Sequence, residues 1–504
     1  MKKIFLFIAI LAMPILNAQN TVDALRYSQQ EVLGSARFRG MSGAFGAVGG
    51  DISSIHINPA GSALFLNSYG SFTLSNSDIY NEALYGNTLT SLSSQNSNFN
   101  QLGAVFLYKS DHPSKYNVNK LALGFTYEQT TDNADELLSF GRSTSSIDSF
   151  FLNQAQGVPL GLIARQSGES IDGLYGFLGE TEGYSVQQAF LGYESFIIDA
   201  VNPDDLNNTS YTSNVSAGNF DQEYYYRNTG INGKFTLNLG AQINQDMYLG
   251  INLNSHFINF DRVTDFFESN SNTSSTINEI LFTESLSTFG FGVSAEIGGI
   301  ARLSRMIRLG ASLETPTWYT INEETTQGLE TFSNTEGTAI VNLNIINVFP
   351  EYQLKTPLKA TGSIAFMFEQ NGLISLDYTY TDYPSIRFSS EEGIDFSDQN
   401  ENIQNNLKGA ATIRLGTEWN YNNWSIRGGY SFEESPYNDE EIFDHISSLS
   451  LGTGWSFGKY RFDMAYTTTL QERIEQFYPN ASLANSAEVL SITDSLTFTL
   501  GMHF

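Results

Sequence analysis

The sequence predicts an all-β fold, a transmembrane antiparallel β-barrel of about 14 strands with an N-terminal plug segment inside its lumen. Three observations predict this fold class. Apolar and polar residues alternate with a two-residue period in many segments of the 504-residue chain, short and long connections alternate between these segments, and a glycine-dense stretch, residues 34–61, precedes the first of them. The content of 26 Tyr, 37 Phe and 43 Gly, with no Cys, fits an aromatic-rich barrel better than a helical enzyme.

The first 18 residues are predicted to be a signal peptide. Lys2 and Lys3 precede an apolar run from Ile4 to Leu16, and the small residue Ala18 ends the segment. The run is too short for a membrane-spanning helix and has the flanks of a secretion signal, so removal after Ala18 is expected. No other run in the sequence approaches the roughly 20 apolar residues that a spanning helix needs.

Residues 19–66, which we call the hatch, are predicted to form the plug. Seven glycines lie between Gly34 and Gly61, and the segment shows no strand period. Glycine lets backbones approach closely or adopt positive φ, so this segment is expected to pack against another part of the protein. In the run Asn58-Pro59-Ala60, Asn58 can cap a short helix and Pro59 suits its first position. Composition alone is equally compatible with a surface loop before the barrel.

The remainder, residues 67–504, is predicted to be the barrel. In residues 235–243 the odd positions carry Phe, Leu, Leu, Ala and Ile, whereas the even positions carry Thr, Asn, Gly and Gln. Such alternation places one face against lipid and the other in a polar lumen. The same rule predicts strands at 249–257, 289–297, 307–313, 411–419, 424–432, 449–457, 460–466 and 496–504, and less regular ones at 69–75, 101–109, 121–128, 361–368 and 373–380.

The connections between these segments support a membrane barrel. Every second connection is short, namely residues 110–120, 244–247, 298–304, 369–372, 420–423 and 458–459, and the others are long and acidic. Outer-membrane barrels have short periplasmic turns and long extracellular loops, whereas a soluble β-sandwich has comparable loops at both ends. The alternation therefore favours the barrel and puts the long loops outside the cell.

The longest connection, residues 130–230, is predicted to contain structure of its own, because structureless loops of that length are uncommon in compact folds. It carries three apolar clusters. Exposed apolar patches usually mark binding surfaces, so these clusters are candidates for capturing a hydrophobic ligand. The alternative, which does not exclude the first, is that they pack together as the small core of the loop. The candidate capture residues are Phe150, Phe151, Leu160, Leu162, Ile163 and Phe177.

The sequence shows no catalytic or metal-binding pattern, so no enzymatic activity, cofactor or metal is expected. The formal net charge of −29 argues against nucleic acid as a partner. Residues 454–458 match the Gly-x-Ser-x-Gly pattern of hydrolases, but they end a predicted barrel strand rather than joining a strand to a helix. The five histidines are scattered, without a pair at metal-ligand spacing.

Four basic side chains are predicted to face the lumen by alternation, and these are Arg308, Arg414, Arg427 and Arg461. An arginine guanidinium binds a carboxylate with two parallel hydrogen bonds, so these residues are candidates for binding a ligand carboxylate. Carboxylates are predicted on the same lumen face. The alternative is an internal network of ion pairs that fills and stiffens the barrel.

Several short motifs resemble one known family. They include Ala36-Arg37, Gly43-Ala44-Phe45, Asp51 and Asn58-Pro59-Ala60 in the hatch, followed by Thr356-Pro357, Asp377-Tyr378, residues 414–416, residues 427–430 and Ser435-Pro436. In this order they resemble the FadL/TodX-type outer-membrane transporters of hydrophobic compounds. The resemblance covers nearly the whole mature chain and is weakest in residues 130–231.

The resemblance implies passive transport of hydrophobic small molecules, either long-chain fatty acids or aromatic hydrocarbons, across the bacterial outer membrane. It implies a monomer surrounded by outer-membrane lipid and lipopolysaccharide. It also implies that the hatch gates the barrel through Arg37, Gly43, Asn58, Pro59 and Ala60. One branch resembling this family carries secreted protein cargo in type IX secretion, and such a carrier is the alternative. A general porin is disfavoured, because a hatch of this kind would block free diffusion.

Overall fold

The computed structural model describes residues 21–109, 118–334, 337–343, 345–369, 371–391, 393–478 and 485–504. The predicted signal peptide and most of the predicted turn at 110–120 lie outside these ranges. None of the helices in the described ranges is long and apolar enough to cross a membrane.

Strands dominate the described chain. Twenty of them form one large sheet, and β5 and β6 form a separate pair. The strands are β1 Tyr69–Tyr85, β2 Thr88–Lys109, β3 Val118–Asp132, β4 Asp135–Ser143, β5 Ile198–Ala200, β6 Tyr211–Ser213, β7 Phe220–Ile243, β8 Met247–Ser269, β9 Glu279–Arg302, β10 Ile307–Glu314, β11 Trp318–Ser333, β12 Gly337–Asn342, β13 Asn347–Val348, β14 Tyr352–Lys355, β15 Lys359–Phe368, β16 Gly372–Asp382, β17 Arg387–Ser389, β18 Gly409–Tyr421, β19 Trp424–Glu433, β20 Phe443–Phe457, β21 Tyr460–Gln476 and β22 Ser486–His503.

The large sheet is a closed antiparallel barrel. Successive crossings of the barrel wall pair with one another, and β22 pairs with β1 over the length from Tyr69 to Leu84. Within the described ranges the sheet has fourteen crossings, in agreement with the sequence prediction. Four crossings are built from consecutive strands, namely β3 with β4, β10 with β11, β12 to β15, and β16 with β17.

Prolines cause two of the interruptions. Pro316 separates β10 from β11 and Pro357 separates β14 from β15, because proline has no N–H to donate to the sheet. Threonine hydroxyls replace part of the lost pairing. The backbone N–H of Thr317 donates to Oγ1 of Thr356 at 2.8 Å, so the two interruptions lie side by side and the barrel stays closed.

The predicted alternation separates a lipid face from a lumen face. On β7, Phe235, Leu237 and Leu239 are exposed on the outside, while Thr236 and Asn238 are buried inside. Higher on β8 the pattern reverses, because Asn259 is exposed on the outside and Phe260 is buried inside. On this strand the exterior above the lipid is therefore polar and the interior apolar.

The structure extends many strands beyond the sequence prediction, and β1 and β2 are among them. Residues 76–100, for which alternation predicted no strand, continue β1 and β2 to a hairpin between Tyr85 and Thr88. Both faces of this hairpin carry many polar residues, such as Asn76 and Ser77, so a hydrophobic period could not mark it. The β1 edge of this hairpin is instead paired with β22.

Short helices and turns of the hatch lie inside the barrel, the first helix in its upper apolar interior and the others in the lower lumen. They are α1 Thr21–Arg26, α2 Ala36–Arg39 and two 3₁₀ helices, Ser53–His56 and Pro59–Leu64. Ser35 caps α2 by accepting from the backbone N–H of Phe38, and Asn58 caps the second 3₁₀ helix. Almost every hatch residue from Leu33 to Ala63 is buried, so this segment forms an interior layer of the barrel.

Residues 144–219, which we call the cap, form a small helical unit on the extracellular end. It contains α3 Asp148–Ala155, α4 Leu160–Ile163, α5 Ile171–Thr181 and α6 Tyr184–Glu194 together with the β5–β6 pair. Its apolar core is continuous with the upper ends of barrel strands through residues such as Tyr224, Phe266 and Phe282. A last helix, α7 Ser397–Asn406, and a 3₁₀ turn at Tyr383–Ser385 complete the upper end.

Candidate functional site

The Asn58-Pro59-Ala60 run anchors the hatch to the barrel wall. Oδ1 of Asn58 accepts from the backbone N–H of Ala60 at 3.1 Å. Its Nδ2 donates to the carbonyl oxygen of Gly46 in the hatch at 2.8 Å and to that of Gly299 in β9 at 3.1 Å. One side chain thus holds the 3₁₀ turn, a neighbouring hatch loop and the wall together.

Wall glycines allow this close approach. A Cβ atom built at Gly250 would lie 2.3 Å from the carbonyl carbon of Pro59, and one at Gly298 would lie 2.2 Å from Oδ1 of Asn58. Such distances are far shorter than van der Waals contact, so a side chain at these positions would displace the hatch. Seven glycines have this relation to the hatch, and we call them the wall glycines: Gly103, Gly240, Gly250, Gly298, Gly310, Gly416 and Gly429.

Arg37 ties the hatch to the opposite side of the wall. Its Nε and Nη2 donate to the two carboxylate oxygens of Glu418 at 2.8 Å each, and its Nη1 donates to the carbonyl oxygen of Gly50 at 3.0 Å. Glu418 also accepts from Nε of Arg427 at 2.5 Å. A charge-assisted contact with two parallel hydrogen bonds is both strong and directional.

Two more charges complete this cluster. Nη2 of Arg427 lies 2.8 Å from Oδ1 of Asp463, and Nε of Arg461 lies 2.9 Å from Oδ2 of the same carboxylate. Arg427 is 2% exposed. We call Arg37, Glu418, Arg427, Arg461 and Asp463 the ion cluster. Its three guanidinium groups and two carboxylates hold the hatch at a level close to the turn that joins β18 to β19.

Gly43 makes a left-handed turn in the middle of the hatch. Its φ is 76°, and a Cβ at this position would lie 3.1 Å from the Phe38 ring. A residue with a side chain would be strained in this backbone conformation and would crowd that ring. Gly43 is therefore required for the turn that leads from α2 towards the wall.

The four candidate lumen arginines do not form one group. Arg427 and Arg461 belong to the ion cluster, and Nη1 of Arg308 donates to the carbonyl oxygen of Val48 in the hatch at 3.0 Å. Arg414 alone among the four lines the lumen cavity described next, where its Nη1 lies 3.4 Å from Oγ1 of Thr379. Binding of a ligand carboxylate by these arginines remains a prediction.

A polar cavity lies in the lumen beside the hatch. The space open to the centre of a water molecule measures about 60 Å³. Its charged lining includes Glu296, Glu314, Lys359, Arg414 and Glu433. Sequence reasoning did not single out Lys359 and Glu433. Lys359 lies two residues before the predicted strand at 361–368 and keeps its period, so extending that strand would have found it.

The predicted capture residues lie mostly inside the cap. Phe150, Phe151, Leu160 and Ile163 are buried in its core, and Leu162 is partly buried against it. Phe177 differs, because 54% of its surface is exposed. A capturing role for these residues remains a prediction, and in this conformation Phe177 is the one among the six that offers a large exposed apolar surface.

One buried carboxylate of the upper barrel is expected to make the stability of the cap depend on pH. Glu268 lies near the extracellular end of β8, beyond the lipid-facing part of the strand, and is 1% exposed. Burial raises its pKa to about 7, although hydrogen bonds from Ser146, Gln222 and the backbone of Ile147 oppose the shift. The folded state therefore binds a proton more readily than the unfolded state.

We expect the cap to be more stable at pH 5 than at pH 8. Because the folded pKa is raised, the stabilisation is complete below the unfolded pKa and is lost as the pH rises through about 7. The full effect is on the order of 3 kcal/mol. Hydrogen exchange of α3, corrected for intrinsic rates, measures it. Glu268→Gln should remove most of the pH dependence, and an unchanged dependence in this variant would contradict the assignment to Glu268.

The described residues offer no metal centre. No group of three or more His, Asp or Glu side chains within the described ranges is arranged to hold a metal ion. His56 instead lies 3.3 Å from Glu128, and His256 lies 2.9 Å from Oγ of Ser294, so both imidazoles belong to the polar contacts of the lumen.

The closed barrel, the lipid-facing exterior and the buried hatch define a plugged β-barrel of the outer-membrane type. Comparison with solved structures agrees with this class. The chain is similar to a FadL homologue from Pseudomonas aeruginosa, with a TM-score of 0.54, 11% identity and coverage of 95% of this chain and 100% of that one. It is also similar to the toluene transporter TodX of P. putida, with a TM-score of 0.53, 11% identity and coverage of 95% and 99%.

Sequence comparison adds no match. No family model matches the chain, and a search of curated proteins gave no match either. At 11% identity the structural similarity establishes the fold, and for the fold the FadL/TodX resemblance noted in the sequence is confirmed.

Proposed function

We propose that this protein takes up hydrophobic small molecules passively across the bacterial outer membrane. The observation that carries the proposal is the apolar interior above the hatch. Phe260, Ile321 and Leu354 point inwards from three different crossings, at positions where the lumen of a porin for polar solutes is polar. The fold shared with the FadL homologue and TodX supports the same function.

The apolar interior is now filled by parts of the chain itself. Leu25 of α1 and Ile403 of α7 pack among the inward-facing side chains. The guanidinium of Arg26 lies over the Phe260 ring at 4.3 Å and pairs with Asp23 at 2.6 Å. In the proposed cycle, a hydrophobic molecule that enters beneath the cap replaces these contacts, so that the apolar surface remains covered throughout.

Exit is proposed to occur sideways through the barrel wall, by analogy with the family that the sequence resembles. The hatch packs against wall glycines on several crossings and occupies the lower lumen in this conformation. A lateral route needs a place where two strands separate. The register of β1 with β2 shifts between Thr73 and Leu74, which leaves Asn100 without an opposite residue, and such bulges bend the bulged strand.

A charge placed in the apolar interior tests this proposal. Phe260→Glu should reduce uptake of radiolabelled toluene or oleate by cells about tenfold or more, because the ligand loses an apolar contact and meets a carboxylate. Val263→Glu is the matched control, since Val263 lies on the same strand, faces outwards above the lipid and is 45% exposed. Equal uptake by the two variants, at equal levels of folded barrel, would refute a route through this interior.

A carrier for secreted protein cargo is the second candidate. It is favoured by apolar side chains on the surface of the cap, where Phe177, Phe196 and Leu206 are 54%, 52% and 64% exposed. Apolar side chains that form a contiguous exposed patch mark protein-binding surfaces, and the carrier candidate requires these three to act together. Co-purification of one secreted protein in stoichiometric amount, lost on replacing these three residues by serine, would favour this candidate over uptake of small molecules.

A further inference from the structure

The proposed uptake of hydrophobic molecules assigns no role to the polar cavity beside the hatch. It is lined by three carboxylates, Glu296, Glu314 and Glu433, and by two cations, Lys359 and Arg414. Threonine and serine hydroxyls fill much of the remaining surface. A space of about 60 Å³ open to water centres accommodates roughly four to six water molecules, or a small polar solute.

The charges of this cavity are not paired with one another. Within the described residues, none of the five takes part in an ion pair of 4.0 Å or less. The ion cluster in the same lumen is different, because its guanidinium groups and carboxylates approach to between 2.5 and 2.9 Å. The charges that hold the hatch therefore form close ion pairs, whereas the five charges around the cavity do not.

Two carboxylates lie together on one part of the cavity wall, with Lys359 opposite Glu314, while Arg414 lies on another part, with Glu433 on the next strand. Glu296 and Glu314 are directly opposite each other on β9 and β10, an arrangement that is unfavourable without a cation between them. Arg414 lies three crossings away on β18, and Thr361, Thr379 and Thr412 occupy the wall between. Nε of Arg414 is buried and has no hydrogen-bond partner.

We propose that this cavity binds a small zwitterion, a solute that carries an ammonium group at one end and a carboxylate at the other. The ammonium group lies between Glu296 and Glu314, and the carboxylate lies against Arg414. The threonine hydroxyls hydrogen-bond the polar atoms between them. Lys359 lies directly opposite Glu314 in the sheet, and its positive charge weakens the attraction of Glu296 and Glu314 for simple cations.

Ligands with a single charge fit the cavity less well. A simple anion would satisfy Arg414 but add negative charge to a cavity that already holds three carboxylates and two cations, and a simple cation would leave the guanidinium unsatisfied. Buried or half-buried charges without partners are costly, so a ligand that satisfies both ends is favoured. The proposal goes beyond the uptake of hydrophobic molecules and does not depend on it.

Four probes of matched length test the proposal on the unmodified protein. Isothermal titration calorimetry of the full barrel in nanodiscs, with empty nanodiscs as the blank, compares 4-aminobutanoate, butanoate, butylammonium and 1-butanol. The expected result is that 4-aminobutanoate binds with a dissociation constant at least about tenfold lower than that of each other probe. Equal or tighter binding of butanoate or butylammonium, or no binding of 4-aminobutanoate, would overturn the proposal.

Substitutions then assign the two ends. Glu314→Gln and Arg414→Gln should each weaken 4-aminobutanoate binding about tenfold, while Arg414→Gln leaves butylammonium binding unchanged. Arg227→Gln is the control, because Arg227 points outwards above the lipid and pairs with Glu136 at 3.2 Å. If a lumen variant does not fold into a heat-modifiable barrel, the comparison of the four probes on the unmodified protein still tests the proposal. Toluene uptake is measured separately, so failure of either proposal is recognised independently of the other.

Discussion

Replacing Gly250 with valine should unseat the hatch while leaving the barrel folded. The new Cβ would lie 2.3 Å from the carbonyl carbon of Pro59 and 2.4 Å from the backbone nitrogen of Ala60. These are backbone atoms, which cannot rotate away, so the whole Asn58-Pro59-Ala60 turn must move. Overpacking of this kind costs about 1–3 kcal/mol, which corresponds to a fall of about fivefold to more than a hundredfold in the seated population.

Ion conductance in planar bilayers and trypsin cleavage within the hatch measure this effect, and both should increase. Gly362→Val is the matched control, because Gly362 lies in β15, faces outwards, and a Cβ atom built there would meet no other atom within 4 Å. Both variants should retain the heat-modifiable mobility of a closed barrel. Equal conductance in the two variants would show that the wall glycines do not determine how the hatch sits.

Glu418→Gln should destabilise the protein by about 3–5 kcal/mol, because removing one partner of a buried ion pair leaves the other charge uncompensated. Glu418 is 4% exposed and contacts Arg37 and Arg427 directly. In the variant, three guanidinium groups share Asp463 as the remaining carboxylate of the ion cluster. Urea unfolding in lipid vesicles, followed by tryptophan fluorescence, measures the loss.

An exposed ion pair provides the comparison. Arg142 and Asp221 approach to 2.8 Å, but their side chains are 65% and 46% exposed. Asp221→Asn should therefore change the free energy of unfolding by no more than about 1 kcal/mol. A loss in Glu418→Gln as small as that in Asp221→Asn would mean that Glu418 contributes no more than a surface charge.

The lipid-facing strands were predictable from sequence because the membrane imposes its pattern on every residue of a crossing. The segment 235–243 shows this, since each apolar side chain faces lipid and each polar one faces the lumen. Above the lipid this constraint ends. The β1–β2 hairpin near Tyr85 was missed for that reason, and the helices of the cap were recognised only as apolar clusters.

The site was predictable only where local chemistry marked it. The Asn58-Pro59 pair carries its own capping signal, and the structure shows that cap. The wall glycines carry no such signal, because each one is explained only by a hatch atom distant in sequence. The cavity charges are similar. Lys359 and Glu433 lie on different crossings, and only barrel closure brings them to one space.

Because the wall glycines have no side chains, the hatch supplies the interior packing that the lower barrel lacks. Expelling the hatch as a body would leave a hollow lined by bare backbone, and proteins rarely tolerate voids of that size. During opening we therefore expect separate segments of the hatch to move, rather than the hatch as one body. We expect the segments that touch no wall glycine to move first, above all α1 and the link from Tyr27 to Gly34, while the part of the hatch seated on the wall glycines stays in place.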